Sequence, residues 1–220
     1  AEVANRSLDA QRRTFRTVIG VDGYINDYWN YEAYYQWGSV SRDQVNSGVI
    51  QTLNFINALD TETLPDGTIQ CADPLFRSLG CVPVNIFGAG AMTGDALDFV
   101  TVNPQTTSRS EQQVFGITFD GIVFELPAGD VGVALGYEQR KERAQFNSDA
   151  LAQSGLTTGN TVPNVKGDYD VSEYFIETRI PLLADLPLAE YLGLEFAYRM
   201  SDYSTIGTAD AYTVALDWQP

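Results

Sequence analysis

Apolar and polar residues alternate along seven stretches of the chain, which is the pattern of strands with one apolar and one polar side. In the first stretch, Phe15, Ile19 and Val21 share one side, whereas Arg16 and Asp22 share the other. The alternation predicts seven strands, at residues 13–25, 29–38, 113–124, 131–140, 173–180, 192–199 and 212–218.

The predicted strands share one design. One face carries aromatic and aliphatic side chains, and the other carries glycine, alanine, threonine and charged side chains. A soluble β-sandwich also alternates in this way. Its strands are usually about five or six residues long, and its outer face carries more lysine and less glycine and alanine. The pattern therefore favours strands that meet lipid on their apolar side.

The connections between the predicted strands alternate in length. Short links follow the first, third and fifth strands, at residues 26–27, 126–130 and 183–188. Longer links follow the second, fourth and sixth strands, at residues 43–110, 147–168 and 202–210. Because antiparallel strands reverse direction at each link, all the short links lie at one end of the sheet. Short periplasmic turns and long external loops are the layout of an outer-membrane β-barrel, and Trp29 and Trp218 near strand ends suit its aromatic girdles.

The strand count bears on whether such a barrel closes. Seven is odd, whereas bacterial single-chain barrels normally close with an even number of strands. Seven strands alone also leave two open edges, which lipid does not tolerate. The sequence therefore predicts an all-β fold: an antiparallel transmembrane β-barrel segment of about seven long strands, within which residues 1–220 form part of one larger barrel domain.

Composition excludes several classes of chemistry. The chain has 220 residues, a formal net charge of −16, no histidine and two cysteines. An acidic chain has little with which to hold phosphates, so we expect no nucleic-acid partner. Without histidine there is no Ser-His-Asp triad, no Cys-His pair and no His-ligated zinc. We therefore expect no catalytic residues, no metal site and no cofactor, and we predict that the chain is not an enzyme.

Charged residues recur on the polar side of every predicted strand. Two carboxylates of this set could serve as the acid and base of a glycosidase. The favoured interpretation is a mixed-charge wall that faces the lumen of the barrel, because no pair stands out from the repeating charges. The predicted wall consists of Arg16, Asp22, Glu32, Asp120, Glu138, Arg140, Glu177, Arg179, Glu195, Arg199 and Asp217.

The long link at residues 43–110 is the strongest candidate for a ligand-gathering external loop, because a connection of this length needs a role. Cys71 and Cys81 lie in its Pro/Gly-rich part, separated by nine residues, and this spacing favours one disulfide and an oxidising compartment. The alternative is two free thiols. The glycine-rich stretch at 88–94 lacks the strand and the spacing of a nucleotide loop. We interpret it as a turn into a short helix near residues 95–100, capped by Thr93.

Four pairs of motifs resemble parts of TonB-dependent outer-membrane receptors, in consistent order along residues 12–220. They are RTVIGVDG (16–23) with WNYEAYYQWG (29–38), CADP (71–74) with GCVPVNIFG (80–88), FELPAG (124–129) with VGVALGYE (131–138), and YRMSDYS (198–204) with WQP (218–220). The resemblance implies a receptor of the Gram-negative outer membrane. The family's barrel has 22 strands and is filled by a plug domain, consistent with the plugged lumen of barrels of that size. This chain lacks that plug.

The resemblance also implies a function. Such receptors import scarce nutrients (siderophores, cobalamin or oligosaccharides) with energy supplied through TonB. The expected partners are outer-membrane lipid, a small-molecule or oligosaccharide ligand, and, through the full-length receptor, the plug domain and the TonB complex. Two alternatives stay open: a β-rich fragment that self-assembles through its open edges, and a secreted carbohydrate-binding β-sandwich.

Overall fold

The computed structural model describes residues 6–220, so residues 1–5 of the predicted domain lie outside the described part. Within residues 6–220 strands dominate, and short helices interrupt them only in two places. In chain order the elements are β1 (Ser7–Asn26), β2 (Trp29–Ser47), β3 (Val49–Ile50), α1 (Thr52–Leu59), β4 (Thr61–Thr63), β5 (Ile69–Cys71), α2 (Pro74–Ser78), α3 (Gly94–Val100), β6 (Thr101–Val102), β7 (Gln105–Leu126), β8 (Gly129–Ser148), α4 (Ala150–Ser154), β9 (Val165–Leu186), β10 (Ala189–Tyr203) and β11 (Gly207–Gln219).

The seven predicted strands form a single sheet in the order β1-β2-β7-β8-β9-β10-β11. Neighbours in the sheet follow one another along the chain apart from the small elements inserted between them, and this order arises because each strand folds back on the one before it. The all-β, antiparallel prediction is therefore confirmed. The sheet is open, with β1 and β11 at its two edges.

Two-residue turns join three pairs of strands, at residues 27–28, 127–128 and 187–188. At the first turn the side chain of Asn26 accepts hydrogen bonds from the backbone N–H groups of Tyr28 (2.9 Å) and Trp29 (3.0 Å). At the third, Leu188 takes a φ of 70°, a left-handed conformation that tight hairpins require. All three short links that the sequence predicted are present.

One of the predicted long links is wrong. Strands β10 and β11 are joined by only three residues, 204–206, where the sequence predicted a loop over 202–210. The ladder continues through that stretch, since Asp202 lies opposite Thr208 and Ser201 opposite Ala209. Polar residues suggested a loop, but backbone pairing does not depend on apolar side chains. The other two long links are shorter than predicted for the same reason, and span residues 48–104 and 149–164.

The register of β9, β10 and β11 brings their apolar positions into phase. Phe196 lies opposite Thr178 on β9 and Val214 on β11, and Leu194 lies opposite Ile180 and Leu216. Because side chains alternate across a strand, every second pair projects to the same face. These three strands therefore present one continuous apolar face and one continuous polar face.

The chain divides into two compact units. The described part of the first comprises residues 6–13, 41–109 and 145–166, and the second comprises residues 14–40, 110–144 and 167–220. The first unit has a small core of Ala58, Val84, Ala96 and Val100, against which Phe55 and Phe99 pack. None of the helices within residues 6–220 is long and apolar enough to cross a membrane.

Side-chain caps explain where α2, α3 and α4 of the first unit begin. The predicted cap is confirmed, because the Thr93 hydroxyl accepts a hydrogen bond from the backbone N–H of Ala96 (3.3 Å) at the start of α3. Asp73 caps α2 and Asp149 caps α4 in the same way. Each cap satisfies a backbone donor that the first turn of a helix leaves without a partner.

A disulfide joins Cys71 and Cys81 in the same unit. The guanidinium of Arg77, within the disulfide loop, donates hydrogen bonds from Nη1 to the carbonyl oxygens of Cys71 (2.7 Å) and Ala72 (3.0 Å). The same nitrogen contacts Glu62 Oε1 at 2.8 Å. The disulfide and one arginine together fix the shape of this loop.

Candidate binding face of the sheet

The second unit has two chemically different faces. We call the apolar face the side that includes Phe15, Trp37, Tyr137, Tyr174 and Phe196. On it the rings of Phe15 and Trp37 lie 5.4 Å apart, and those of Tyr137 and Tyr174 lie 4.9 Å apart. The polar face is the opposite side, and it carries the predicted charged wall. Both faces follow from the period of two that the sequence shows.

Four side chains form a hydrogen-bonded row across four neighbouring strands of the polar face. We call Arg16, Gln36, Gln112 and Glu142 the amide row; they lie on β1, β2, β7 and β8 in that order. Arg16 donates from Nε to Gln36 Oε1 (3.0 Å), Gln36 donates from Nε2 to Gln112 Oε1 (2.8 Å), and Gln112 donates from Nε2 to Glu142 Oε1 (2.6 Å). Every bond of the row points the same way, from a cation to an anion.

An open cavity of about 460 Å³ adjoins the amide row. All four members of the row line it, and small residues such as Gly38, Ser39 and Ser110 line the space beside them. At the carboxylate end, Arg140 Nη1 lies 3.6 Å from Glu142 Oε1. The Nε of Arg140 is buried and has no hydrogen-bond partner within residues 6–220. The arrangement combines fixed amides with accessible space, which is what a polar ligand site requires.

A second cross-strand bond lies beside the amide row. The hydroxyl of Tyr34 on β2 donates to Glu138 Oε2 on β8 at 3.0 Å. The tyrosine reaches across β7 at Gly116, where an added Cβ would lie 2.4 Å from Cε1 of the ring. Because glycine has no Cβ, the ring of Tyr34 can lie over Gly116 and its hydroxyl can contact Glu138.

A larger cavity, of about 680 Å³, lies on the same face near the two-residue turns. Asp120, Glu177, Arg179 and Glu195 of the predicted wall all line it. Arg179 forms an ion pair with Glu195, at 2.7 Å from Nη2 and 2.9 Å from Nε. Asn30 Nδ2 donates to Asp120 Oδ2 at 2.9 Å. On this part of the face one arginine is therefore paired with a carboxylate, and Asp120 is hydrogen-bonded to a neutral amide.

The structure brings some of the predicted wall together and leaves other members apart. Besides the ion pair of Arg179 with Glu195, Arg199 lies over the ring of Phe175 at 5.4 Å, a cation–π distance. Asp22, Glu32 and Asp217 make no side-chain hydrogen bond or ion pair to another residue of the described part. No three Asp, Glu, Cys or His side chains within residues 6–220 are grouped closely enough to hold a metal ion.

Sequence reasoning missed the amides that organise the face. Gln36 lies on the polar side of the second predicted strand, but an uncharged side chain did not stand out from its neighbours. Gln112 and Glu142 lie just beyond the predicted strands 113–124 and 131–140, in stretches where the structure continues β7 and β8. The signal was present, because each of these residues continues the alternation of its strand.

Comparison with known proteins adds no family to this picture: no family model matches the chain, and no curated protein matches it. What the structure establishes is an open, antiparallel sheet of seven strands. One of its faces is apolar and exposed, and the other is polar and internally hydrogen-bonded.

Proposed function

We propose that the chain is part of the β-barrel wall of a TonB-dependent outer-membrane receptor, which imports a scarce nutrient with energy supplied through TonB. The exposed apolar face is the observation that carries this proposal. Ile19 is 69% exposed, and Val214 and Leu216 are each 64% exposed. Contiguous apolar surface of this kind is rare on soluble monomers and marks a partner or a membrane. A bilayer supplies such a partner along the whole face.

The height of the apolar face supports a membrane position. On β1 it runs from Phe15 to Ile25, ten steps of about 3.3 Å, or roughly 33 Å along the strand. Tilting the strand by about 40° reduces this to about 25 Å, the height of the apolar band of outer-membrane barrels. Charged residues begin directly beyond it, at Arg12 and Arg13. The side chains of the strand therefore change from apolar to charged at the height where the hydrocarbon of a bilayer would end.

The directions of the strands also support the proposal. The three two-residue turns lie at one end of the strands, and the links of 57 residues (48–104) and 16 residues (149–164) lie at the other. This matches periplasmic turns and external loops. The indole of Trp218 donates from Nε1 to the carbonyl oxygen of Leu188 at 2.9 Å, which places one tryptophan at the turn end, where an aromatic girdle is expected.

The open edges of the sheet indicate what else the receptor must contain. Strands β1 and β11 both run from the long-link end to the turn end, because an odd number of antiparallel strands begins and finishes in the same direction. An antiparallel closure then needs an odd number of further strands, which makes the total even, as in bacterial barrels. In the full-length receptor these strands and the plug complete the wall and the lumen.

In this proposal the polar face lines the lumen and no covalent chemistry takes place. The ligand binds from the external side, and rearrangement of the plug, driven through TonB, releases it inward. The connection at residues 48–104, which contains the Cys71–Cys81 disulfide, belongs to the external mouth. The charged and amide side chains of the polar face keep the wall hydrated.

The test compares two arginine substitutions on adjacent residues of β11 in the full-length gene product. Leu216→Arg places a cation on the apolar face, at a cost of about 2–4 kcal/mol near the middle of a bilayer. Ala215→Arg places the same cation on the polar face. We expect Leu216→Arg to reduce the amount of protease-protected protein in the outer-membrane fraction, and Ala215→Arg to leave it near the wild-type amount.

Two results would contradict the proposal. One is an equal response of the two variants, which would mean that the apolar face does not meet lipid. The other is recovery of the unmodified protein as a stable, detergent-free soluble monomer. TonB coupling is tested separately: uptake of the nutrient must stop when TonB is deleted, while binding at the cell surface persists.

A further inference from the structure

We propose that the amide row, Arg16-Gln36-Gln112-Glu142, binds a neutral, polyhydroxylated ligand of the saccharide class. This inference rests on the proposed function, because the polar face lies on the ligand's path only in a closed barrel. It names the ligand class that the wall selects among the nutrients that such a receptor could import.

The hydrogen-bonding capacity of the row is only partly used within the protein. A glutamine amide offers two donors and one carbonyl oxygen with two acceptor positions. Gln36 and Gln112 each use one N–H in the row. Within residues 6–220, each therefore keeps one N–H without a protein partner, and the Gln112 carbonyl oxygen keeps one acceptor position. The row alternates donors and acceptors at the spacing of neighbouring strands, about 4.8 Å. Hydroxyl groups both donate and accept, so a polyol can engage both kinds of group.

The internal bonds of the row also orient it. A free glutamine side chain loses conformational freedom when it binds a ligand, and this loss weakens binding. In the row, Arg16 holds the Gln36 carbonyl oxygen and Glu142 holds the Gln112 amide nitrogen. Both amides are therefore already fixed beside the 460 Å³ cavity. At Gly38 the nearest atom to an added Cβ is the Phe15 carbonyl oxygen, at 3.7 Å, which is an ordinary van der Waals distance.

Charge on the polar face excludes an anionic ligand. The predicted wall holds seven carboxylates and four guanidinium groups, and Glu142 adds another carboxylate at the end of the row. Each of the four guanidinium groups contacts another side chain: Arg179 pairs with Glu195, Arg140 lies beside Glu142, Arg16 contacts an amide, and Arg199 lies over a ring. The face therefore repels anions such as ferric catecholates or uronic acids. A neutral ligand avoids this repulsion and still uses the amides.

The experiment measures binding to the purified full-length receptor in detergent. The probes are neutral hexasaccharides of glucose, xylose and mannose, an oligogalacturonide hexamer, a ferric tris-catecholate and a ferric trihydroxamate. We expect at least one neutral saccharide to bind and the two anionic probes, the oligogalacturonide and the ferric tris-catecholate, not to bind. The ferric trihydroxamate is neutral and lacks the row of hydroxyl groups, so its binding in place of a saccharide would show that absence of charge, and not hydroxyl groups, selects the ligand. Gln112→Ala is then expected to weaken that binding about 5- to 10-fold, the effect of losing one ligand hydrogen bond.

Gln113→Ala is the matched control, because Gln113 is the next residue of β7 and projects to the opposite face. Gln36→Ala tests the second amide independently if Gln112→Ala folds poorly. Binding of only the anionic or iron-bearing probes would overturn the inference, and so would equal affinity in the Gln112 and Gln113 variants. Either result leaves membrane insertion, tested at Leu216 and Ala215, unaffected, so failure of the inference is distinguishable from failure of the proposed function.

Discussion

Substituting Gly136 by alanine tests whether the strands approach each other as closely as the structure shows. An added Cβ at Gly136 would lie 2.4 Å from Cε1 of Phe175 and 2.8 Å from the backbone carbonyl oxygen of Ile117. The ring can rotate away, but the carbonyl belongs to the neighbouring strand β7 and cannot move without disturbing the ladder. Gly132, four residues earlier on the same strand and face, has no such neighbour within 4 Å.

The two alanine variants are expected to differ in sign. Alanine at an open strand position reduces the entropy of the unfolded chain, so Gly132→Ala is expected to raise stability by up to about 0.5–1 kcal/mol. At Gly136 the same gain is outweighed by overpacking, which costs about 1–3 kcal/mol. At roughly 3 °C per kcal/mol for a chain of this size, the midpoint of Gly136→Ala should lie about 3–9 °C below that of Gly132→Ala.

The measurement is thermal unfolding of both variants of the 220-residue chain under identical conditions, monitored by the circular-dichroism signal of the β-sheet. Adding Phe175→Leu to Gly136→Ala should restore part of the lost stability, because it removes the ring but not the contact with the Ile117 carbonyl. If Gly136→Ala were as stable as Gly132→Ala, the close packing of β8 against β7 and β9 would be refuted.

Three further predictions concern the first unit. Replacing Cys71 and Cys81, which lie 10 positions apart, by serine should open the disulfide loop and speed its cleavage by protease. Closing a loop of this size contributes about 2–3 kcal/mol to the free energy of unfolding. Unchanged cleavage would show that Arg77 alone fixes the loop. Thr93→Val should cost about 1 kcal/mol at the start of α3, visible as faster amide exchange there, and equal exchange would contradict the cap. Hydrogen bonds from the backbone N–H and the hydroxyl of Thr68 lower the pKa of Asp66. The ionised carboxylate therefore stabilises the turn at pH values above the ordinary carboxyl pKa, and this stabilisation is lost as the pH falls through the lowered pKa. An NMR titration midpoint of Asp66 at or above that of an unfolded peptide would refute this prediction.

The sequence alone was sufficient for the class of fold and for the two faces. Alternation is a local property, since neighbouring side chains of a strand project to opposite sides whatever the strand pairs with. Seven strands and the three short turns between them were predicted from this alternation, and the Thr93 cap was predicted from the glycine-rich stretch at 88–94; the structure has each of them. Cys71 and Cys81 also form the disulfide that their spacing favoured.

Strand ends were less predictable, because polar segments continue the backbone ladder without an apolar signal. Strand β8 extends through Glu142 to Ser148, and β10 and β11 pair down to a three-residue link. The predicted loop at 202–210 was wrong for this reason. Hydrogen bonds between backbone groups extend the sheet wherever the partner strand is present, and the partner is not visible in local composition.

The sequence by itself determined which side chains share a face, because that depends only on position along each strand. The tertiary structure alone decided which of them meet. Arg16, Gln36, Gln112 and Glu142 are spread over 127 consecutive positions of the chain, yet they join in one row because the register of four strands places them side by side. Register is a relation between distant segments, and no local pattern carries it.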